Sequence, residues 1–212
     1  MKRILATQRV DVVERYGERR DALDQQWTVL LETMGCILFP VPNTLDCIAE
    51  YIEAVKPEGI LLTGGNDLTM IPDGTNISPE RDITESGLLD YAAQKTIPVF
   101  GVCRGAQMIN TYCGGKLTRI SNHAGTRHTI LWEGISSINI TERNSFHNYG
   151  ISCNDLSADL SPIAFGEDNS VEAFCHNSLP WFAVMWHPER EFPFLPEDVF
   201  LLEKTFRGDE LA

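Results

Sequence analysis

The sequence has no apolar run approaching the roughly 18 residues needed to cross a bilayer. Its start, Met1-Lys2-Arg3-Ile4-Leu5-Ala6, is basic and then apolar, but the apolar part is too short for a signal peptide and reads as a first strand. No Cys-x-x-Cys pair occurs. Six cysteines stand apart at 36, 47, 103, 113, 153 and 175, which is neither a disulfide framework nor a zinc-ligand pattern and suits a reduced cytoplasm. Basic residues are scarce, 17 against 30 acidic ones, and the net charge of −13 argues against nucleic acid or an anionic membrane as partner. The sequence shows no internal repeat, low-complexity segment or second domain. What is left, 212 residues with 43% apolar and 22% charged content, is expected to fold as one domain over residues 1–212 with a substantial core.

Strand and helix patterns alternate. Lys2–Thr7, Cys36–Val41 and Gly59–Thr63 read as strands, with Gln8–Glu18 as a polar loop of little periodicity. Helical spacing covers Asp21–Met34, through Leu23, Trp27, Leu30 and Leu31, and Thr44–Val55, capped by Asn43 or Thr44. After a polar loop at Met70–Pro79, Arg81–Gln94 is again helical. Lys116–Ile140 reads as short strands and polar loops, 162–168 and 171–176 as a hairpin, and 192–206 as a Pro-rich turn and helix. The alternation predicts an α/β fold, a parallel sheet covered by helices on both faces, with ligands at the carboxyl ends of its strands.

The most informative stretch is Ile97-Pro98-Val99-Phe100-Gly101-Val102-Cys103-Arg104-Gly105-Ala106-Gln107. An apolar strand meets a turn with the glycine-x-nucleophile-x-glycine spacing of a nucleophile elbow, Cys replacing Ser. Glycines two before and two after such a turn keep the crossing chains apart. The helix that follows, Gly105–Cys113, aims its positive end at Cys103 and favours the thiolate. Gln107 lies one helical turn on and can face the same pocket. Downstream, Trp181–Glu189 ends an apolar strand at His187-Pro188-Glu189. A thiol nucleophile needs a base, and the base needs a carboxylate to fix its tautomer. In an extended segment positions i and i+2 share a side, so Glu189 can reach the His187 ring. Gly64-Gly65, after the third strand, could expose bare amides to an oxyanion or could be a tight turn.

Gly-Val-Cys-Arg-Gly-Ala-Gln-x-x-Asn followed by Trp-His-Pro-Glu resembles the class I glutamine amidotransferase superfamily. Arg104 after the nucleophile, Arg81-Asp82-x-x-Glu85, and Asn144-Ser145-Phe146-His147 narrow the resemblance to its free-standing γ-glutamyl hydrolase branch (peptidase family C26). The resemblance implies a mostly parallel, flavodoxin-like α/β sheet and a Cys103–His187–Glu189 triad. It further implies oxyanion donors at the Gly65 and Arg104 N–H groups, and Gly64 and Gln107 beside the γ-glutamyl group. The segment Asn144, Ser145, Phe146 and His147 would line the pocket, its backbone holding the α-amino and α-carboxylate ends. His147 is the rival base but has no carboxylate neighbour in sequence. Arg81 and Asp82 become structural or site-edge residues rather than catalysts.

The implied activity is hydrolysis of a γ-glutamyl amide with release of glutamate through a thioester. The substrate could be γ-glutamyl-aminobutyrate or a γ-glutamyl nucleotide phosphoramidate of capsule synthesis. No cofactor and no metal are called for. Related enzymes are often dimers, so a homodimer is the protein partner the resemblance allows. The alternatives are a glutaminase subunit delivering ammonia to a separate synthetase, and a catalytically dead binding protein.

Two polar groups are left open by the sequence. Arg81 and Glu85, at i and i+4, can pair on one helix face, and the plain reading is a solvated helix start. Arg119, His123, Arg127 and His128 could form a rim for an anionic leaving group. The plain reading there is scattered surface polarity, with metal binding disfavoured because no carboxylate or thiol recurs at ligand spacing.

Overall fold

The computed structural model describes residues 1–133 and 140–209. The chain opens with β1 (Lys2–Thr7), β2 (Arg9–Val13) and β3 (Glu18–Ala22), then α1 (Gln26–Thr33), β4 (Cys36–Val41), α2 (Ile48–Val55) and β5 (Gly59–Leu62). It continues through α3 (Pro79–Lys95), β6 (Val99–Val102), α4 (Arg104–Tyr112), β7 (Thr118–Arg119), β8 (Ala124–Trp132), β9 (Ile140–Phe146) and β10 (Tyr149–Gly150). Last come β11 (Leu160–Gly166), β12 (Val171–His176), β13 (Trp181–Val184), a single 3-10 turn at Pro188–Arg190, and α5 (Pro196–Arg207).

A nine-stranded sheet runs β4-β1-β5-β6-β13-β12-β11-β8-β9. From β4 to β13 the pairings are parallel, and from β13 to β9 they are antiparallel. Along the parallel half, successive side chains feed opposite cores. Ile4, Ala6, Leu61, Phe100 and Val102 pack beneath α1 and α5, against Trp27, Leu30 and Phe206. Leu5, Ile60, Leu62 and Val99 face Ile52, Leu88 and Ile109 of α2, α3 and α4. This is the expected α/β sheet with helices on both faces, and the continuous apolar strands reflect burial on both sides. No described helix is long and apolar enough to cross a membrane.

Four sequence expectations need correction. Gln8–Glu18 is not a loop: it carries β2, which pairs with β3 in a separate hairpin. Only Val10 of its apolar residues is buried, so the two-residue period has no second point to show itself. With Ala22 paired to Arg9, α1 cannot begin at Asp21 and starts at Gln26, whose amide donates to Asp24 at 2.9 Å. Likewise α2 begins at Ile48 rather than Thr44, because the Asn43 amide is spent on Gln8 and Asp21 instead of a helix start. Within Lys116–Ile140 the expected short strand is present as β7, but β8 is a nine-residue strand rather than a short one; residues 134–139 of that stretch lie outside the described residues.

Candidate active site

Parallel strands β6 and β13 lie side by side, Val102 in register with Val184, so the residues beyond their carboxyl ends meet. Cys103 sits between β6 and α4 at φ 51° and ψ −102°, a left-handed conformation that costs a non-glycine residue on the order of 1–3 kcal/mol. Its amide donates to Val184 O at 2.8 Å, and its carbonyl accepts from Gln107 at 3.0 Å, which holds the strain in place. The flanking glycines behave as the spacing requires. A Cβ on Gly105 would stand 2.1 Å from Leu62 O, and one on Gly101 would stand 2.9 Å from the Gly105 backbone.

His187 follows β13 and is buried with Cys103 and Glu189. Its Nδ1 lies 2.7 Å from Glu189 Oε1. The contact is made through the 3-10 turn of Pro188–Arg190, not through the extended segment anticipated from the i, i+2 spacing. Burial opposes charge on the imidazole, but the Cys103 sulfur and the Glu189 carboxylate outweigh it and lift the His187 pKa to about 9. Asn144, on β9, clamps the His187 backbone from both sides: its Oδ1 accepts from His187 N at 3.0 Å, and its Nδ2 donates to His187 O at 2.9 Å.

Gly64 packs flat on the imidazole, where a Cβ would come within 2.5 Å of His187 Cε1. Gly65, at φ +85°, and Arg104, the first residue of α4, have backbone amides with no protein acceptor among the described residues. Free N–H groups at a helix start and at a glycine turn are the donors that a developing oxyanion needs.

The Arg81–Glu85 segment is not a solvated helix start. Arg81, Glu85 and Arg104 are fully buried. Arg81 donates to the carbonyls of Thr63 (2.6 Å), Gly64 (3.0 Å) and Gly65 (2.7 Å), which fixes the glycine loop. Glu85 joins Arg81 to Arg104, and Arg104 also pairs with Asp82. Burial lowers the Arg81 pKa to about 10, helped by the neighbouring Arg104 charge. Burial also works against Glu85, but the two guanidiniums hold its carboxyl below the usual range.

The remaining predicted residues divide. Phe146 stacks edge-on with His187, ring centroids 5.7 Å apart, and carries the Arg190 guanidinium over its face. Ser145 is buried, and its hydroxyl has no hydrogen-bond partner among the described residues. Gln107 spends its amide on Tyr149 O at 2.8 Å. His147 is not beside the triad: its ring lies with His123, His128 and Glu172, and burial drives its pKa down to about 4. The Arg119–His128 group separates too. Arg119 and Arg127 are exposed and paired with Asp73 and Glu191, whereas His123 and His128 turn inward to Glu172, so the histidines are neither rim nor surface.

A cleft of about 260 Å³ opens beside the His187–Glu189 pair, walled by Arg9, Trp27, Gly65 and Arg190. Arg9 reaches it on the β2–β3 hairpin, which the sequence reading missed. Its trace in the sequence is a single repeat, Val10 and Val12 around Asp11, and Val12 is exposed.

The Peptidase C26 family model matches residues 4–189. A γ-glutamyl-CDP-amidate hydrolase of Campylobacter jejuni is 32% identical over 186 residues, covering 87% of this chain and 88% of that one. A carbamoyl phosphate synthase small chain of Symbiobacterium thermophilum is 30% identical over 161 residues, but the match spans only 41% of its length. A glutamine amidotransferase structure from Thermotoga maritima superimposes with a TM-score of 0.65 at 16% identity, covering 98% of this chain and 94% of that one, a likeness of fold. The chain belongs to the peptidase C26 family, in the class I glutamine amidotransferase superfamily.

Proposed function

We propose that this protein hydrolyses the γ-glutamyl amide bond of a nucleotide-linked amidate, releasing glutamate. The observation that carries the chemistry is Cys103 on a strained elbow beside a Glu189-bound His187. His187 takes the Cys103 proton, and the thiolate attacks the δ-carbonyl of the glutamyl group. The Gly65 and Arg104 N–H groups receive the oxyanion. The imidazolium then protonates the leaving nitrogen, and a glutamyl thioester remains. Water activated by His187 cleaves the thioester, and Glu189 keeps the ring oriented throughout.

The substrate class rests on the Campylobacter jejuni relative, which is matched over most of both chains. Arg9, paired with Asp11 at 2.8 Å, and Arg190 line the cleft and would be the cations that meet a phosphate-bearing leaving group. The carbamoyl phosphate synthase small chains are matched over less than half their length, so the ammonia-delivering role is not favoured. The six free cysteines support a reducing, cytoplasmic setting.

The test is glutamate release from γ-glutamyl-CDP-amidate, γ-glutamyl-aminobutyrate and glutamine, with Cys103→Ala as control. Release that is fastest from the amidate and lost in the variant is expected. Folded protein that is silent on all three would overturn the proposal.

A further inference from the structure

The inward-turned histidines converge on one carboxylate. His123 immediately precedes β8, His128 lies on it, His147 stands between β9 and β10, and Glu172 is on β12. His123, His147 and Glu172 are buried, and one ligand atom from each lies within 4.8 Å of the others. His123 Nδ1 is 3.4 Å from Glu172 Oε1, while His128 Nε2 and His147 Nε2 are 3.6 and 3.9 Å from Oε2. The latter two exceed hydrogen-bond reach. Four atoms, His123 Nδ1, His128 Nε2, His147 Nε2 and Glu172 Oε2, have no hydrogen-bond partner among the described residues. Buried polar atoms are rarely left so, because each forfeits its hydrogen bonds to water without replacement.

Other polar atoms of these groups are, by contrast, held. His123 Nε2 lies 3.0 Å from Asp168 Oδ2, His147 Nδ1 lies 3.1 Å from Tyr149 O, and Glu172 Oε1 accepts from Ser170 Oγ at 2.9 Å. For His123, His147 and Glu172 that is the outer arrangement of a metal site, in which a ligand's second polar atom is fixed by a neighbour. Nitrogen and oxygen ligands bound at about 2.0–2.2 Å in a tetrahedron stand roughly 3.4 Å apart, and the three His–Glu172 separations run from 3.4 to 3.9 Å.

We propose that His123, His128, His147 and Glu172 form a site for one divalent transition-metal ion of the zinc class. The ion would tie β8, the β9–β10 loop and β12 together, one residue from Phe146, which packs on His187. Its place is structural support beneath the site. The inference does not depend on which amide the protein cleaves.

The sequence reading disfavoured a metal because it sought a carboxylate at short spacing. Strand pairing supplies it from afar, and the signal was a Glu amid the apolar run Val171-Glu172-Ala173-Phe174.

Chelator-treated full-length protein would be titrated with Co²⁺ and then displaced with Zn²⁺, binding being followed by the visible cobalt spectrum. About one ion per chain is expected in wild type and in Cys103→Ser, without a thiolate charge-transfer band. Glu172→Gln should abolish stoichiometric binding. Asp168→Ala, at a half-exposed residue behind His123, should weaken it by about 10–100-fold and keeps the test decisive if Glu172→Gln fails to fold. Three results would overturn the site: no stoichiometric binding by wild type, binding that survives Glu172→Gln or is unchanged in Asp168→Ala, or binding lost in Cys103→Ser.

Discussion

Arg81 donates through Nε to Oε1 of Glu85, one helical turn away, at 2.8 Å, and both side chains are fully shielded from water. The second carboxylate oxygen holds Arg104, so one buried anion links the glycine loop to the residue after the nucleophile. Removing one partner of a buried ion pair costs about 3–5 kcal/mol. Glu85→Gln should therefore lower Tm by roughly 6–20 °C, at about 2–4 °C per kcal/mol for a chain of this size. The sign in pH follows from its depressed carboxyl. The stabilisation is present above the unfolded Glu value of about 4.3 and is lost as pH falls through the lower folded value. Wild-type melts should thus lose stability on the acid side, and those of Glu85→Gln should be flatter there. A Tm within about 2 °C of wild type would contradict the linkage.

Gly64 leaves no room for a side chain against the His187 imidazole. Gly64→Ala should push the His187 ring aside, since the new Cβ would overlap Cε1. A displacement near 1 Å costs about 100-fold in rate, so kcat should fall on that order with the fold intact by circular dichroism. Unchanged kcat would show that the ring is not held there.

Glu189 fixes the His187 tautomer through Nδ1. Replacing it by the isosteric Gln should lower kcat by about 10²–10⁴-fold and leave KM nearly unchanged. A large rise in KM with normal kcat would move Glu189 from catalysis to substrate binding.

The raised His187 pKa gives a second pH signature. A histidine whose folded value is lifted stabilises fully below its unfolded value near 6.5, and that contribution is lost as pH rises through about 9. NMR titration of the ring should show imidazolium persisting above pH 8, and Cys103→Ser and Glu189→Gln should each lower the midpoint. An ordinary midpoint near 6.5 in wild type would contradict the charged pairing.

The parallel half of the fold was legible because its strands are continuous apolar runs bounded by glycine and helix signals. The elbow was legible for the same reason. Its glycines have a local steric duty, visible at fixed spacing, and Gly101 and Gly105 perform it. What escaped the sequence was set by distant partners. Arg81 looks like any polar residue opening a helix until the carbonyls of residues 63–65 close around it. His147 and Glu172 are separated by the β10–β11 region, and no spacing rule joins them. The β2–β3 hairpin has a single buried apolar residue, too little for a period to register. The route from His187 to Glu189 was read as extended and is a turn, so the contact was foreseen for a geometrical reason that does not hold.

The account turns on a covalent glutamyl group on Cys103. The direct measurement is rapid acid quench of wild-type protein turning over γ-glutamyl-CDP-amidate, followed by intact mass and peptide mapping. The prediction is a mass increase of one glutamyl group on the Cys103 peptide, absent in Cys103→Ser. Glutamate release that continues in Cys103→Ser, or an adduct mapped to another cysteine, would contradict it.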